Sequence, residues 1–270
     1  MATDLSKYEA VLLDLDGTVY FEEHPLPGAV ELIRRLQGHR RKYACLTNST
    51  SSPDRVSARL KRMGVEVDPN HIYTAAAATA DYVLETFGAD GRIANVYNLS
   101  TEGIHDMLDG KVKWVDGENE PCDAVICGVP LNLYATDERR RTAMLLLKKG
   151  AALAAICADR VYPSPRGLEF GVGAMAAMLA YATQVQPVYC GKPEALFFHE
   201  LCHRLVAEPS RCVLVGDNLE SDIAGARSVG MHTILTLSGI TKRQDVERLA
   251  AEKKPDAVVE DLRELANVLM

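Results

Sequence analysis

Short apolar runs alternate with amphipathic segments along most of the chain. Each run is about as long as a buried strand. The runs predict strands at residues 9–15, 42–46, 92–97, 111–115, 123–129, 151–157, 186–190, 211–216, 231–237 and 256–259. Strands that alternate with helices are typical of an α/β fold with a mainly parallel sheet.

The segments between these runs have the periodicity of helices. After Gly28, the apolar residues from Val30 to Leu36 fall largely on one helical face. A second helix is predicted to begin at Pro53 and to end at Gly64. Further helices are predicted at residues 101–108, 136–149 and 222–229.

Two aspartates stand where the first predicted strand ends. Asp14 and Asp16 are one residue apart, so a strand that continued through both would point them to the same face. Parallel sheets bind ligands at the carboxyl ends of their strands. Two close carboxylates in a partly dry site repel each other and need a cation. Gly17 allows an immediate turn, although Asp-Gly pairs are also common in ordinary turns.

Polar residues follow three further predicted strands. Thr47 and Asn48 come after one of them, and a hydroxyl with exposed N–H groups suits an oxyanion. Lys192 follows another, and Asp217 follows a third, with Asp222 five residues later. Each residue alone is also explained as a helix cap or a surface residue. Together they place several charged side chains at or just beyond strand ends.

The stretches DLDGT, LTN, GKP and GDNLESD resemble, in this order, the four motifs of the haloacid dehalogenase-like hydrolase superfamily. The stretches PLPGAVELIRRL and YPSPRGLEFGVGAM resemble its class IIA subfamily of 4-nitrophenylphosphatase-like and nucleotide phosphatases. The resemblance covers nearly the whole chain. It implies a Rossmann-like, doubly wound parallel sheet with a smaller α/β cap domain inserted between the second and third motifs.

The spacing of the motifs agrees with such an insertion. Thr47 comes 33 positions after Asp14, and one helix and one strand occupy this interval, so that no second domain fits there. Lys192 comes 145 positions after Thr47, and about a hundred of these are left over for a second domain. We therefore expect a catalytic core at residues 1–75 and 188–270, and a substrate-specificity cap at residues 76–187.

The resemblance also implies catalytic roles. Asp14 would be the nucleophile that forms an aspartyl-phosphate. Asp16 would be the general acid that protonates the leaving oxygen and then the base that activates water. Thr47, with N–H groups around Asn48, would bind the phosphoryl oxygens, and Lys192 would neutralise charge at the site.

The implied cofactor is Mg²⁺, because the site offers the oxygen ligands that a hard cation prefers. Asp14, Asp217 and the backbone carbonyl of Asp16 would bind it, while Asp222 would hold its waters or orient Lys192. Asp16 also discriminates between activities, since the dehalogenases of the superfamily lack this second aspartate. The resemblance thus implies a phosphatase that acts on a small phosphorylated metabolite, such as a nucleoside monophosphate, sugar phosphate or aryl phosphate.

The predicted cap contains a loop rich in proline and glycine. It carries Asp159, Tyr162, Arg166 and Glu169. Loops often bear binding residues, so Asp159 and Arg166 in particular are candidate substrate contacts. An ordinary exposed loop would explain these residues equally well.

Charge and composition exclude other classes of protein. The formal net charge of -7 disfavours nucleic acid as a partner. The stretch MATDLSKYEA has no secretory pattern, and the longest apolar run, 174–182, is too short to span a bilayer. We therefore expect a cytoplasmic protein without a membrane partner; homo-oligomerisation is left open. The seven cysteines include no C-x-x-C pair and are expected to be reduced, largely core residues.

Three alternative interpretations remain. The same fold could serve a phosphate or nucleotide sensor that does not turn over. The pair Gly171 and Gly173 could belong to a dinucleotide site, although the full glycine pattern is missing. The stretch HELCH, from His199 to His203, fits the H-E-x-x-H pattern of zinc proteases, a short pattern that also arises by chance.

Overall fold

The computed structural model describes residues 4–129, 136–164 and 167–266. Within them the strands are β1 (Ala10–Asp14), β2 (Tyr20–Phe21), β3 (His24–Pro25), β4 (Lys42–Thr47), β5 (Ile72–Thr74), β6 (Asn95–Leu99), β7 (Lys113–Trp114), β8 (Ala124–Cys127), β9 (Ala152–Ala155), β10 (Val161–Ser164), β11 (Gly167–Phe170), β12 (Pro187–Tyr189), β13 (Cys212–Gly216), β14 (His232–Thr236) and β15 (Ala257–Val259). The α-helices are α1 (Ala29–Gly38), α2 (Pro53–Arg62), α3 (Ala75–Phe87), α4 (Glu102–Leu108), α5 (Asp137–Lys148), α6 (Val172–Thr183), α7 (Ala195–Leu205), α8 (Gly225–Ser228), α9 (Arg243–Glu247) and α10 (Arg263–Ala266).

Two compact units divide the chain. The first comprises Met1–Thr47, Pro53–Tyr73 and Lys192–Met270, and the second comprises Asn48–Ser52 and Thr74–Gly191. Each unit contains a parallel sheet with helices packed against it. The predicted α/β class is therefore confirmed, and each predicted strand is found with its ends shifted by a few residues.

The larger sheet lies in the first unit. Across the described residues its strand order is β15-β14-β13-β1-β4-β5. β1 pairs in parallel with β13 on one side and with β4 on the other, and β14 and β15 continue in parallel beyond β13. The strand order thus runs outward from β1 in both directions. The point at which the strand order changes direction leaves a crevice at the carboxyl ends of the adjacent strands, where doubly wound sheets bind ligands.

Hydrophobic burial explains why β1 is central. Val11, Leu12 and Leu13 are fully buried, as expected for a strand covered on both faces. Leu32 and Leu36 of α1 are fully buried as well. Burying one such side chain stabilises the fold by about 1.5–3 kcal/mol before the entropy of ordering is counted. The apolar face predicted between Gly28 and the end of α1 is the face that packs on the core.

The second unit has a smaller parallel sheet. Its strand order across the described residues is β12-β9-β8-β6-β7. α3 packs against α4 and against β8 and β9, and α5 packs against α6. Val125, Ile126 and Leu153 in the middle of the sheet are buried, so this unit has a hydrophobic core of its own.

An antiparallel hairpin replaces part of the predicted loop in the second unit. Val161 of β10 pairs with Phe170 of β11, and Ser164 pairs with Gly167 at the closed end. The interpretation of residues 159–169 as an irregular loop was therefore wrong for most of this stretch. Leu168 and Phe170 are largely exposed, so the hairpin buries no apolar face that could have produced a strand-like pattern.

Candidate active site

Polar side chains cluster at the carboxyl end of the larger sheet. β1 ends at Asp14, β4 ends at Thr47, and β13 ends one residue before Asp217. β1 and β4 are parallel with Asp14 in register with Leu46, so Asp14 and Thr47 lie on the same edge of the sheet. The side chains of Asp14, Thr47 and Asp217 are all buried. Parallel topology and the ends of the apolar runs are sufficient to explain why they share this edge.

A buried lysine bridges two of the carboxylates. The Nζ of Lys192 lies 2.5 Å from Oδ1 of Asp14 and 2.7 Å from Oδ1 of Asp222. All three side chains are at most 5% exposed. Lys192 comes three residues before α7, and Asp222 lies in a π-helical turn, Leu219–Ala224, that leads into α8. The backbone N–H of Asn218 donates to Oδ2 of Asp222 at 3.1 Å, which holds this carboxylate toward the lysine.

Burial dominates the electrostatics of this group. It raises the pKa of Asp14 well above the usual range, the Asp222 carboxylate raises it further, and Lys192 opposes both effects. Burial alone would lower the pKa of Lys192, but Asp14 and Asp222 together raise it, so the ammonium stays charged. One lysine therefore faces more negative charge than it can neutralise.

Asp217 is held by a loop that sequence inspection missed. Its Oδ2 accepts a hydrogen bond of 2.6 Å from the backbone N–H of Ile240. A Cβ atom at Gly17 or at Gly239 would collide with the same carboxylate, so both positions need glycine. Burial raises the pKa of Asp217 to about 6. The sequence could have indicated this loop. Gly239 and Ile240 follow the carboxyl end of β14, and the carboxyl ends of the strands are where the ligand crevice was expected.

The three buried carboxylates fit a divalent cation. Asp14, Asp217 and Asp222 each offer an oxygen, and these oxygens lie within 4.8 Å of one another. In the described part of the chain this is the one group of three or more candidate metal-ligating side chains. Carboxylate oxygens in excess of the neighbouring positive charge are the donor set of a hard cation such as Mg²⁺ or Ca²⁺. The donor set therefore fits the metal that the resemblance implies.

Asp16 is exposed, unlike the residues of this buried group. β1 ends at Asp14, and the chain turns at Gly17, whose φ is 81°. The strand does not continue through both aspartates, so the strand alternation that would point them to one face does not extend to Asp16. Asp16 is exposed, and its Oδ2 accepts a hydrogen bond of 2.7 Å from the hydroxyl of Tyr20. Burial, followed by the Asp16 charge, raises the pKa of Tyr20 above its ordinary value, so this hydroxyl keeps its proton.

The remaining predicted substrate residues belong to the second unit. The Nδ2 of Asn48 donates to Oδ2 of Asp159 at 3.2 Å, and the thiol of Cys157 donates to the same oxygen at 3.2 Å. Asp159 is thus held at one carboxylate oxygen by two neighbours. Arg166 lies outside the described residues. Glu169 accepts a hydrogen bond of 3.4 Å from the hydroxyl of Ser164, across the hairpin.

The motifs behind the alternative interpretations have other local explanations. His199 and His203 lie exposed on α7, while Glu200 between them pairs with Arg204. Gly171 caps the start of α6. The seven cysteines all fall within the described residues and are free thiols. No described helix is long and apolar enough to cross a membrane.

The chain is similar to known proteins in both sequence and structure. A family model for haloacid dehalogenase-like hydrolases matches residues 11–111, and a second, HAD-hydrolase-like model matches residues 189–265. The 5'-nucleotidase YutF of Bacillus subtilis is 30% identical over 261 residues, which cover 96% of this chain and 98% of that protein. The crystal structure of a 4-nitrophenylphosphatase from Thermotoga maritima has a TM-score of 0.87 at 30% identity and covers 98% of this chain and 99% of its own. A glycerol phosphate phosphatase from Mycobacterium tuberculosis, solved in complex with magnesium, has a TM-score of 0.86 at 28% identity and covers 98% of this chain and 79% of its own.

The doubly wound sheet and its acidic edge define an α/β protein whose buried carboxylates fit a divalent cation. The chain belongs to the haloacid dehalogenase-like hydrolases, in the branch of the 4-nitrophenylphosphatases. It is a phosphatase of that family. Family phosphatases use a divalent metal, and the buried cluster of Asp14, Asp217 and Asp222 fits one.

Proposed function

We propose that the protein hydrolyses small phosphomonoesters in two steps through an aspartyl-phosphate on Asp14. The observation that carries the proposal is the buried contact of Lys192 with Asp14 and Asp222 at the switch point of the larger sheet. A carboxylate held beside a fixed ammonium is a positioned nucleophile in a site prepared for an anionic substrate. A merely structural ion pair gains nothing from this position at a ligand-binding edge.

In the first step an oxygen of Asp14 attacks phosphorus. A bond forms between that oxygen and phosphorus, and the bond from phosphorus to the leaving oxygen breaks. Asp16 supplies the proton that the leaving oxygen takes up. Lys192, fixed on Oδ1 of Asp14, leaves Oδ2 as the attacking oxygen and offsets the charge that accumulates at the phosphoryl group.

In the second step water attacks the phosphoryl group. Asp16, now ionised, takes a proton from this water, and the bond between phosphorus and Asp14 breaks. Inorganic phosphate leaves and both aspartates return to their initial states. Thr47, buried at the end of β4 beside Asp14, is proposed to bind phosphoryl oxygens through its hydroxyl during both steps.

Mg²⁺ is the metal we propose, with Asp14, Asp217 and the backbone carbonyl of Asp16 as its ligands and Asp222 as a residue that orders its surroundings. When bound, it would neutralise the excess carboxylate charge and polarise the phosphoryl group. Burial and the nearby Asp222 charge raise the pKa values of Asp14 and Asp217. Such a raised pKa is the expected sign of carboxylates arranged for a cation.

The substrate class follows from the relatives and from the second unit. The relatives named above are called a nucleotidase, a 4-nitrophenylphosphatase and a glycerol phosphate phosphatase, so their leaving groups differ while the phosphoryl group is shared. We propose that the second unit acts as a cap that selects the leaving group. Asp159 is its proposed contact, because its carboxylate is held in place by Asn48 and Cys157.

A phosphomonoester panel tests the proposal. Purified protein with Mg²⁺ should release phosphate from 4-nitrophenyl phosphate and from nucleoside, sugar and glycerol monophosphates, and excess chelator should abolish the release. Asp159→Asn should change the ranking of the natural esters more than the rate with 4-nitrophenyl phosphate. The proposal would be overturned if none of these esters released phosphate. A burst of one phosphate per chain without turnover would instead indicate the sensor.

A further inference from the structure

The hydroxyl of Tyr20 lies between a carboxyl group and a guanidinium group. It is 2.7 Å from Oδ2 of Asp16 and 3.3 Å from Nη1 of Arg59, both in the first unit. The ring of Tyr20 is buried, with 3% of its surface exposed, whereas Asp16 is exposed. A fixed phenol thus holds one oxygen of a carboxyl group that would otherwise rotate freely in solvent.

Arginine determines the direction of these hydrogen bonds. A guanidinium group has donors only, so the hydroxyl of Tyr20 must accept from Arg59. Its own proton then points to Oδ2 of Asp16, as the short distance indicates. Oδ2 therefore accepts a hydrogen bond from the hydroxyl of Tyr20, which leaves Oδ1 as the oxygen that exchanges protons with other groups.

Several contacts fix Arg59 itself. Its guanidinium lies over the ring of Tyr20, 4.8 Å from the centroid. Nη2 donates to the backbone carbonyl of Glu22 at 2.9 Å, and Nε pairs with Glu23 at 3.2 Å. These contacts tie α2 to the segment around β2 and β3. The buried hydroxyl of Tyr20 is therefore also held by a side chain 39 residues further along the chain.

We infer that Tyr20, supported by Arg59, is a positioning residue that orients the Asp16 carboxyl group and selects Oδ1 for proton transfer. The inference rests on the proposed function. In the first step, the proton on Oδ1 passes to the leaving oxygen as the bond from that oxygen to phosphorus breaks. Oδ2 stays hydrogen-bonded to Tyr20 throughout, so Tyr20 neither gains nor loses a proton overall.

The leaving group distinguishes this role from a structural one. 4-Nitrophenolate leaves as a stable anion and needs little help from an acid, whereas an alkoxide needs its proton during bond cleavage. Loss of the Tyr20 hydroxyl should therefore lower kcat/KM about tenfold for glycerol phosphate, a fraction of what a general acid contributes, and by no more than about twofold for 4-nitrophenyl phosphate. The ratio kcat/KM is the right quantity because it reports the step in which the leaving group departs.

The test compares Tyr20→Phe with Tyr43→Phe on both substrates. Tyr43 is a matched control, because it is a buried tyrosine of the same unit whose hydroxyl accepts a hydrogen bond of 3.0 Å from Gln37. Arg59→Met is a second test variant, and it should show the same selective loss in weaker form. Arg59→Met replaces Tyr20→Phe as the test variant if Tyr20→Phe unfolds at the assay temperature. A loss confined to glycerol phosphate in these variants supports the inference.

Two results would overturn the inference while leaving the proposed function standing. One is an equal loss on both substrates, which indicates a structural role, and the other is no loss on either. The wild-type assay separates these failures from that of the proposed function. If wild-type protein releases phosphate from no ester of the panel, the proposed function fails and the inference fails with it.

Discussion

The two parallel sheets of this protein have similar architecture but opposite chemistry at their carboxyl ends. In the larger sheet, β1 ends in a buried aspartate and β13 is followed by another. In the described part of the second sheet, each strand ends in an uncharged residue, namely Leu99, Trp114, Cys127, Ala155 and Tyr189. Parallel topology provides a ligand-binding edge in both, so topology alone does not make an active site.

A partly buried acid of the second sheet lies at the opposite, amino end of its strand. Asp123 directly precedes β8 and accepts hydrogen bonds of 2.7 Å and 3.1 Å from the backbone and side-chain nitrogens of Asn95. Arg92 pairs with it at 2.5 Å. Partial burial acts to raise the pKa of Asp123, but the hydrogen bonds from Asn95 and Arg92 outweigh it and lower the pKa. Asp14, by contrast, has a raised pKa.

The contrast separates structural from functional carboxylates. A carboxylate whose hydrogen bonds are satisfied by its own fold is stabilised in its charged form. Asp14 and Asp217 are buried beside other carboxylates, and their charged forms are unfavourable without a further cation. Such unfavourable charge is retained at sites where it serves binding or catalysis.

The largest effect should come from Asp14→Asn. The variant keeps the shape of the side chain but loses the nucleophile, so turnover of 4-nitrophenyl phosphate should fall by at least about a thousandfold. Stability should be unchanged or slightly higher, because one of the mutually repelling carboxylates is gone. Initial rates and thermal melts measure the two quantities. Mass spectrometry must show the preparation free of deamidated protein, and wild-type turnover in such a preparation would contradict the role of Asp14.

Lys192→Met should reduce both activity and stability. It leaves Asp14 and Asp222 buried without their ammonium, and removing one partner of a buried ion pair costs about 3–5 kcal/mol of unfolding free energy. Urea unfolding without metal measures this loss. Lys42→Met is the matched control, because Lys42 pairs with Glu9 at the surface, where such a pair is worth about 0–1 kcal/mol. Equal losses in the two variants would mean that Lys192 is not specially placed.

The smallest effect should come from Asp123→Ala. Loss of its hydrogen bonds should cost about 1–3 kcal/mol of stability and leave kcat/KM unchanged. The pKa of Asp123 is lowered in the fold, so its contribution is fully present above its unfolded pKa of about 3.9 and disappears as pH falls through the lower, folded value. Urea unfolding of both proteins between pH 3 and 6 should show the gap closing at the acidic end. A gap that widens there would refute this account.

Much of the site could be predicted from residues near strand ends. Asp14, Thr47 and Asp217 each end or follow a strand of the larger sheet, and the register of parallel strands brings such positions to one edge. Lys192 also follows an apolar run, but that run forms β12 of the second sheet, so strand register does not explain its contact with Asp14. The hairpin of β10 and β11 could not be predicted in this way, because its exposed residues show no hydrophobic alternation. The orientation of Asp16 could not be predicted from strand alternation, because β1 ends at Asp14 and the chain turns at Gly17.

The amino-acid sequence by itself determined the α/β class, the order of the motifs and the residue types at the strand ends, because burial of apolar runs and strand periodicity are local properties. Only the tertiary structure decided which side chains touch. Lys192 meets Asp14 across 178 positions of sequence, and Arg59 meets Tyr20 across 39. Contacts of this kind depend on how helices and strands pack, and packing is set by the whole set of buried side chains rather than by any one segment.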